Sequence, residues 1–144
     1  LKLSDIQDVI SSLSPLGGAR EFLDELRAET QVVILSDTFV QFARPLIKQL
    51  AWPTIFCNHL EVMDDVVENY ELRQPDQKRQ SVLAFKSLNY KVIAAGDSYN
   101  DTNMLAEANH GILFRSPKNI QVEFSQFLAV SEYDELMDLI KDYF

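Results

Sequence analysis

Two short polar clusters hold the residues best suited to chemistry. Ser36-Asp37-Thr38 directly follows the apolar run QVVIL (31–35), and the cluster GDSYND (96–101) directly follows KVIAA (91–95). Hydroxyls and turn N–H groups at a strand-to-helix junction suit a phosphate, because the start of the next helix offers unpaired donors and a positive dipole end. Carboxylates in such a loop suit Mg²⁺, a hard cation that shares oxygen ligands with phosphate. One loop for phosphate and one for metal would meet the needs of phosphoryl transfer.

Each cluster also has an ordinary structural interpretation when it is taken alone. Ser-Asp-Thr after a strand is most often a helix cap, and Gly-Asp-Ser is a common turn. Both clusters occur in one small chain, however, and a lysine near a predicted helix start, Lys78, lies between them. The combination favours a functional site over two unrelated turns.

The elements that position these clusters alternate between helix and strand. Helices are predicted at 4–13, 19–26, 42–50 and 76–88, from the end of the 96–101 cluster to about Ala108, and from Ser131 to the C-terminus. Strands are predicted at 31–35, 54–57, 91–95, 111–114 and 127–130. A hairpin is predicted at 60–63 and 66–72, with the acidic turn Asp64-Asp65. In the first helix, Ser4 is the predicted N-cap, with Gln7 as its capping-box partner. This alternation predicts an α/β domain with a mainly parallel sheet, whose ligand lies beyond the carboxyl ends of the strands.

Composition narrows the class of partner. The 144 residues suit one domain, and the net charge of −9, from 22 acidic and 13 basic residues, argues against nucleic acid or an anionic membrane. A small phosphorylated substrate remains compatible, because a divalent cation can reverse the field inside a cleft. Cys57 is the only cysteine, so an internal disulfide is excluded and a reducing cytoplasm is favoured. No apolar run is long enough to predict a membrane span, and oligomerisation is left open.

The polar clusters resemble the motifs of a known enzyme superfamily. ILSDT (34–38), Lys78 and GDSYND (96–101) are similar to the second, third and fourth motifs of the haloacid dehalogenase superfamily, in the same order. The longer stretches 31–39 and 76–105 closely resemble the bifunctional phosphoserine phosphatase/homoserine phosphotransferase group. The resemblance implies a Rossmann-like core with a mainly parallel sheet flanked by helices. It also implies Mg²⁺-dependent hydrolysis of phosphoserine through an aspartyl-phosphate in serine biosynthesis, with homoserine as an alternative acceptor.

The resemblance also implies a role for individual residues. Ser36 would hydrogen-bond the transferring phosphoryl group, and Lys78 would neutralise the charge of the phosphate and the nucleophile. Asp97 would ligate Mg²⁺. Asp101 would hold the metal site or Lys78 in place, as residues that hydrogen-bond to metal ligands usually do. These four residues are the predicted core of the catalytic and metal site.

Three further residues are implied at the phosphate or substrate. Asn100 would contact phosphate or substrate, while Asp37 and Thr38 stand where many relatives carry glycines and would help to choose substrate or acceptor. Lys86 competes with Lys78 for the role of catalytic lysine. Lys86 lies in the middle of the predicted helix, however, and only Lys78 matches the family pattern.

One family motif is not found before Ser36. The first motif, Asp-x-Asp, supplies the aspartyl nucleophile and a second Asp that acts as general acid and base. Residues 1–13 resemble the last helix of a cap domain, and residues 14–144 resemble the core. We therefore expect a C-terminal part of a longer enzyme, inactive alone, that lacks the first core strand and most of the cap. Because that strand would lie between them, the strands at 31–36 and 91–96 should not pair with each other.

Two other classes of function remain as alternatives. A pseudo-phosphatase would bind Mg²⁺ or phosphate without turnover, which the missing Asp-x-Asp motif would explain. A receiver-type phosphoacceptor domain also combines Asp, Ser or Thr, and Lys at strand ends. A receiver should show an acidic pair at the end of an early strand, and the layout of Ser36-Asp37 and GDSYND fits that pattern poorly.

Overall fold

Helices and strands alternate along residues 1–144, all of which the computed structural model describes. The chain divides into two compact units, Leu1–Pro75 and Asp76–Phe144. The first unit contains α1 (Leu3–Ser11), α2 (Ala19–Glu29), β1 (Val33–Phe39), α3 (Val40–Gln49), β2 (Thr54–Met63) and β3 (Val66–Glu71). The second contains α4 (Gln77–Ser87), β4 (Ile93–Gly96), a 3₁₀ helix (Tyr99–Asp101), α5 (Thr102–Glu107), β5 (His110–Phe114), α6 (Lys118–Glu123), β6 (Leu128–Val130) and α7 (Tyr133–Asp142). The predicted α/β class is confirmed.

The sheet of the first unit has the order β1-β2-β3, with β1 parallel to β2 and β2 antiparallel to β3. The predicted hairpin is confirmed, and its turn residues Asp64 and Asp65 have φ values of 49° and 65°. Short polar residues such as Asp tolerate this left-handed backbone, which two-residue hairpin turns require. The prediction of separate strands at 54–57 and 60–63 is wrong, because β2 runs unbroken through Asn58 and His59.

The start of α1 differs from its prediction. Ser4 is not the N-cap; the cap is Lys2, and the Ser4 hydroxyl and backbone N–H both bind the carboxylate of Asp65 in the hairpin turn. Gln7 does not complete a capping box either, since its side-chain amide donates to the backbone carbonyl of Gln41 at 2.8 Å. Partners distant in sequence therefore take the bonds that the local pattern assigned to a helix cap.

Pro45 lies inside α3 without ending the helix. Proline has no N–H, so the carbonyl of Gln41, four residues earlier, loses its usual helical donor. The Gln7 amide supplies that bond instead. This contact from α1 replaces the missing backbone hydrogen bond and explains why α3 continues to Gln49.

The sheet of the second unit is entirely parallel, in the order β4-β5-β6. Its central strand β5 places Ile112 and Leu113 in the core with no exposed surface, and Val82 of α4 and Leu105 of α5 are each 1% exposed. The predicted strands at 111–114 and 127–130 and the helix at 76–88 are confirmed. Such runs of apolar residues are expected of parallel strands that are buried on both faces.

Strands β1 and β4 lie in different sheets and do not pair, as predicted. Strand β1 pairs with β2 only, and β4 pairs with β5 only, so each is an edge strand of its own sheet. The assignment of residues 1–13 to a cap and 14–144 to a core stays a prediction. No helix has the length and apolar character needed to cross a bilayer.

Candidate phosphate and metal site

The 96–101 loop is built around the carboxylate of Asp101. Its Oδ2 accepts hydrogen bonds from the backbone N–H of Asp97 at 3.0 Å, from the N–H of Ser98 at 3.2 Å and from the Ser98 hydroxyl at 3.3 Å. Asp101 is itself only 6% exposed. The bonds close the loop at the carboxyl end of β4, where a parallel α/β sheet presents its ligand-binding groups.

Gly96 makes this close approach sterically feasible. A Cβ atom at Gly96 would lie 2.6 Å from the Asp101 Cβ and 2.7 Å from its Oδ2. Any larger residue would therefore displace the carboxylate that organises the loop. The glycine of the GDSYND motif thus has a packing reason within this structure.

Lys78 forms a buried ion pair with Asp101. Its Nζ donates to the Asp101 Oδ1 over 2.8 Å, and the two side chains are 14% and 9% exposed. Burial raises the pKa of Asp101. The hydrogen bond and charge of Lys78, together with the N–H groups of Asp97 and Ser98, lower that pKa by more than burial raises it, so the pKa of Asp101 is below its usual value. Asp101 is consequently a carboxylate at neutral pH and fixes the direction of the Lys78 ammonium group.

Lys86, the competing lysine, has a different partner. Its Nζ donates to the backbone carbonyl of Glu107 at 2.8 Å and lies 3.4 Å from the Glu107 Oε1. Arg79 also binds the Glu107 carboxylate, at 3.2 Å. Lys86 therefore belongs to a structural ion-pair cluster between α4 and α5.

Asp97, Tyr99 and Asn100 are the exposed members of the 96–101 loop. The structure contains no group of three or more His, Cys, Asp or Glu side chains that would enclose a metal. Mg²⁺ commonly takes only one or two protein carboxylates and completes its octahedron with water and substrate phosphate. The exposed carboxylate of Asp97 is an oxygen donor of the kind that this mode of binding requires.

Residues 36–38 lie inside β1 and not beyond its end. The ladder pairs Leu35 with Phe56 and then Phe39 with Asn58, so the three residues between form an irregularity that we call the 36–38 bulge. Within it the Thr38 N–H donates to the Ser36 Oγ at 3.3 Å. The next helix has Phe39 as its N-cap, so the alternative that these residues form a simple helix cap is wrong. The strand is longer than predicted because its ladder resumes after the bulge.

Asn58 is a polar residue of this region that sequence reasoning missed. It is 4% exposed, and its side-chain amide bonds the carbonyl of Asp37 in the bulge. The available signal was the polar pair Asn58-His59 between the apolar run 54–57 and Leu60. Buried polar side chains in such positions are normally hydrogen-bonded to something specific.

Comparison with protein-family models assigns the chain to a family. The model of haloacid dehalogenase-like hydrolases matches residues 2–109. The chain belongs to the haloacid dehalogenase-like hydrolase family. The predicted resemblance of the chain to that superfamily is therefore confirmed.

Curated relatives are more specific. The chain is 62% identical over 137 residues to "Phosphoserine phosphatase ThrH" of Pseudomonas aeruginosa, covering 94% of this chain and 67% of the relative. It is also 62% identical over 137 residues to "Phosphoserine phosphatase" of Pseudomonas syringae pv. tomato, covering 94% of this chain and 58% of the relative. The chain thus spans about three fifths to two thirds of the length of these hydrolases.

Solved structures support the fold. The phosphoserine phosphatase from T. onnurineus aligns with a TM-score of 0.75 at 24% identity, over 98% of this chain and 66% of that one. A phosphoserine phosphatase in apo form aligns with a TM-score of 0.78 at 21% identity, over 98% of this chain and 73% of that one. Both show that this hydrolase chain has the α/β fold of such proteins.

In this hydrolase chain the predicted site residues fall into two sets. Within Asp76–Phe144, the structure brings together Lys78, Asp101 and the backbone of Asp97, and it leaves Asn100 exposed on the same loop. Within Leu1–Pro75, the 36–38 bulge contains Ser36, Asp37 and Thr38. Each set is internally organised by hydrogen bonds to a buried side chain, Asp101 in one and Asn58 in the other.

Proposed function

We propose that the full-length gene product carrying this chain is a Mg²⁺-dependent phosphomonoester hydrolase that acts on O-phospho-L-serine. The observation that carries the proposal is the buried 2.8 Å contact between Lys78 Nζ and Asp101 Oδ1, on the loop that also presents Asp97. Membership of the hydrolase family supports the reaction class. The names of the curated relatives support the substrate.

Lys78 acts by charge in this proposal. A phosphomonoester and neighbouring carboxylates crowd negative charge into one place, and a preoriented ammonium stabilises it without having to reorganise. Asp101 holds that ammonium through its hydrogen bond and remains ionised because its pKa is lowered. The pair is thus ready to receive a phosphate before the substrate arrives.

Asp97 is the proposed protein ligand for Mg²⁺. When bound, the ion would neutralise charge on the phosphoryl oxygens and so make the phosphorus more open to nucleophilic attack. Asp97 is exposed while its backbone N–H donates to Asp101, so the loop backbone is fixed and the residue remains open to solvent. Asn100, exposed on the same loop, is proposed to contact phosphate or substrate.

The 36–38 bulge is proposed to bind the phosphoryl group. Ser36 would donate its hydroxyl to a phosphate oxygen, with Thr38 and Asp37 helping to choose substrate or acceptor. No Asp-x-Asp sequence occurs in the 144 residues. These residues are therefore assigned the binding and orientation of phosphate, and the aspartyl-phosphate and transfer to homoserine are proposed for the full-length gene product.

The proposal is tested by a screen of phosphomonoesters with the full-length gene product and Mg²⁺. Phosphate release should be most efficient with O-phospho-L-serine, and added homoserine should yield phosphohomoserine if transfer competes with water. If sugar phosphates or nucleotides exceed phosphoserine by more than about tenfold in kcat/KM, roughly 1.4 kcal/mol in transition-state binding, the substrate assignment is wrong.

A second candidate is a module that binds phosphate or Mg²⁺ without turnover. It rests on the same predicted phosphate- and metal-binding residues, Lys78, Asp97 and the 36–38 bulge, with no turnover required of them. Calorimetric titration with inorganic phosphate and Mg²⁺ separates the two functions when it is combined with the turnover assay. Binding to the full-length gene product without release of phosphate from any ester would support the module over the enzyme.

The setting proposed for the enzyme is a reducing cytoplasm, in serine biosynthesis. Cys57 is buried in the first unit, and its burial raises the pKa of the thiol, so the reactive thiolate is disfavoured. The net charge of −9 supports a small phosphorylated partner over nucleic acid. Oxidation of Cys57 without unfolding would contradict this view of the thiol.

A further inference from the structure

The 36–38 bulge interrupts the ladder between β1 and β2. Pairing stops after Leu35 opposite Phe56 and resumes at Phe39 opposite Asn58, so two residue steps of β2 face four of β1. Extra residues in a bulge lose their ladder partners and need other hydrogen bonds to keep one conformation. Asn58 lies at the point where the ladder resumes.

The Asn58 side chain binds on both sides. Its Nδ2 donates to the Asp37 carbonyl at 3.0 Å, and its Oδ1 accepts from the Arg73 backbone N–H at 2.9 Å. The residue is only 4% exposed, so water cannot readily replace either bond. Both polar ends of a buried amide are thus tied to backbone, one in the bulge and one in the segment after β3.

Neighbouring groups reinforce this arrangement. The guanidinium of Arg73 lies 4.1 Å from the centroid of the Phe56 ring. Phe56 pairs with Leu35, the last residue of β1 before the bulge. Inside the bulge, the Thr38 N–H donates to the Ser36 Oγ at 3.3 Å, so the Ser36 side chain and the Thr38 backbone are coupled. Loss of the bond from Asn58 to the Asp37 carbonyl would remove one of the contacts that hold the backbone between Ser36 and Thr38.

We propose that Asn58 is a positioning residue that holds the 36–38 bulge in its phosphate-binding conformation. The inference rests on the proposed function of the bulge. Asn58 does not touch the substrate; it acts through the Asp37 carbonyl on the direction of the Ser36 hydroxyl. Because the bulge is proposed to bind phosphate, replacing Asn58 should weaken the affinity for phosphate as well as lower turnover.

The test compares Asn58→Leu and Asn58→Asp with Asn69→Asp, an exposed asparagine of the same sheet. In the full-length gene product, both Asn58 variants should weaken binding of inorganic phosphate and lower kcat/KM for phosphoserine by at least about tenfold at about pH 8, because a buried acceptor loses its donor. Asn69→Asp should stay within about twofold, as an exposed surface change should.

The pH profile separates positioning from general damage. A protonated aspartic acid has an O–H donor in nearly the place of the Asn58 Nδ2, whereas a carboxylate only accepts. The defect of Asn58→Asp should therefore shrink towards about pH 5, relative to the original protein, while that of Asn58→Leu should not. If Asn58→Leu fails to fold, the pH dependence of Asn58→Asp decides.

Two outcomes would overturn the inference. Wild-type phosphate affinity in both Asn58 variants would remove Asn58 from any positioning role, and so would a defect in Asn58→Asp that is equal at both pH values. Failure of the proposed function is recognised separately, because the unaltered gene product would then not hydrolyse phosphoserine. Phosphate affinity and amide hydrogen exchange of residues 36–39 would still report whether Asn58 holds the bulge.

Discussion

Lys78 and Lys86 lie on the same helix, and their partners differ in kind. Lys78 binds the buried Asp101 of the motif loop, and Lys86 binds Glu107 of α5. We predict that Lys78→Met lowers kcat by about a hundredfold or more, since a preoriented charge supplies several kcal/mol of transition-state stabilisation. Lys86→Met, the matched control, should change kcat by less than about threefold. The measurement is kcat from steady-state assays of the full-length gene product. If the two results were reversed, Lys86 and not Lys78 would be the catalytic lysine.

Asp97 offers a cleaner test of the metal site because its side chain is exposed. Asp97→Asn should lose most of the activity while keeping its melting temperature within a few degrees, because the amide is a weaker ligand for Mg²⁺ and little packing changes. The measurement is kcat as a function of Mg²⁺ concentration. Near-wild-type kcat at saturating Mg²⁺ would contradict the assignment.

The lowered pKa of Asp101 predicts how stability depends on pH. A carboxyl group whose folded pKa lies below its unfolded value, 3.8, stabilises the fold fully above that value. Its contribution is then lost as the pH falls through the lower folded pKa. Unfolding by urea between neutral and acidic pH should show a larger loss in the original chain than in Asp101→Asn, where Asp24 and Asp65, whose pKa values are also lowered, remain. An unchanged acid slope in Asp101→Asn would show that Asp101 does not control it.

At the scale of elements, the turn from β4 into the 3₁₀ helix depends on Gly96. A methyl group there would overlap the Asp101 Cβ at 2.6 Å, so Gly96→Ala should destabilise the fold by about 1–3 kcal/mol, the usual cost of overpacking. It should also lower activity by displacing the partner of Lys78. Gly17→Ala is the matched control, since nothing lies within 4 Å of its added Cβ. Equal melting temperatures for the two variants would refute this account of the motif glycine.

At the scale of the whole molecule, the binding groups and the proposed nucleophile are distinct requirements. The 144 residues contain Lys78, Asp97 and the 36–38 bulge but no Asp-x-Asp sequence. Expressed alone, they should release no phosphate from O-phospho-L-serine, because the proposed aspartyl nucleophile of an Asp-x-Asp motif is not among them. Activity above the uncatalysed rate in this preparation would show that another residue performs the attack.

Local patterns in the sequence were sufficient for the α/β class, the acidic hairpin turn, helix α4 and the loop GDSYND. The physical reason is that apolar periodicity and turn chemistry act over a few residues, and each of these features is short-range. The resemblance to haloacid dehalogenase motifs added Lys78, Asp97 and Asp101 as site residues. It left open whether Asp101 supports the metal or the lysine.

The tertiary structure shows that Asp101 binds both Lys78 and the backbone of the 96–101 loop, and it decided several other contacts. Asp101 binds Lys78, 23 positions away in the sequence. Ser4 donates to Asp65 instead of capping its own helix, and Asn58 holds a bulge that no local pattern predicts. Such bonds form when burial leaves a polar group no water, so its partner is whichever group the packing brings near. The sequence alone thus determined which residue types were available for phosphate and metal, and the packing of distant segments determined which of them are bound together.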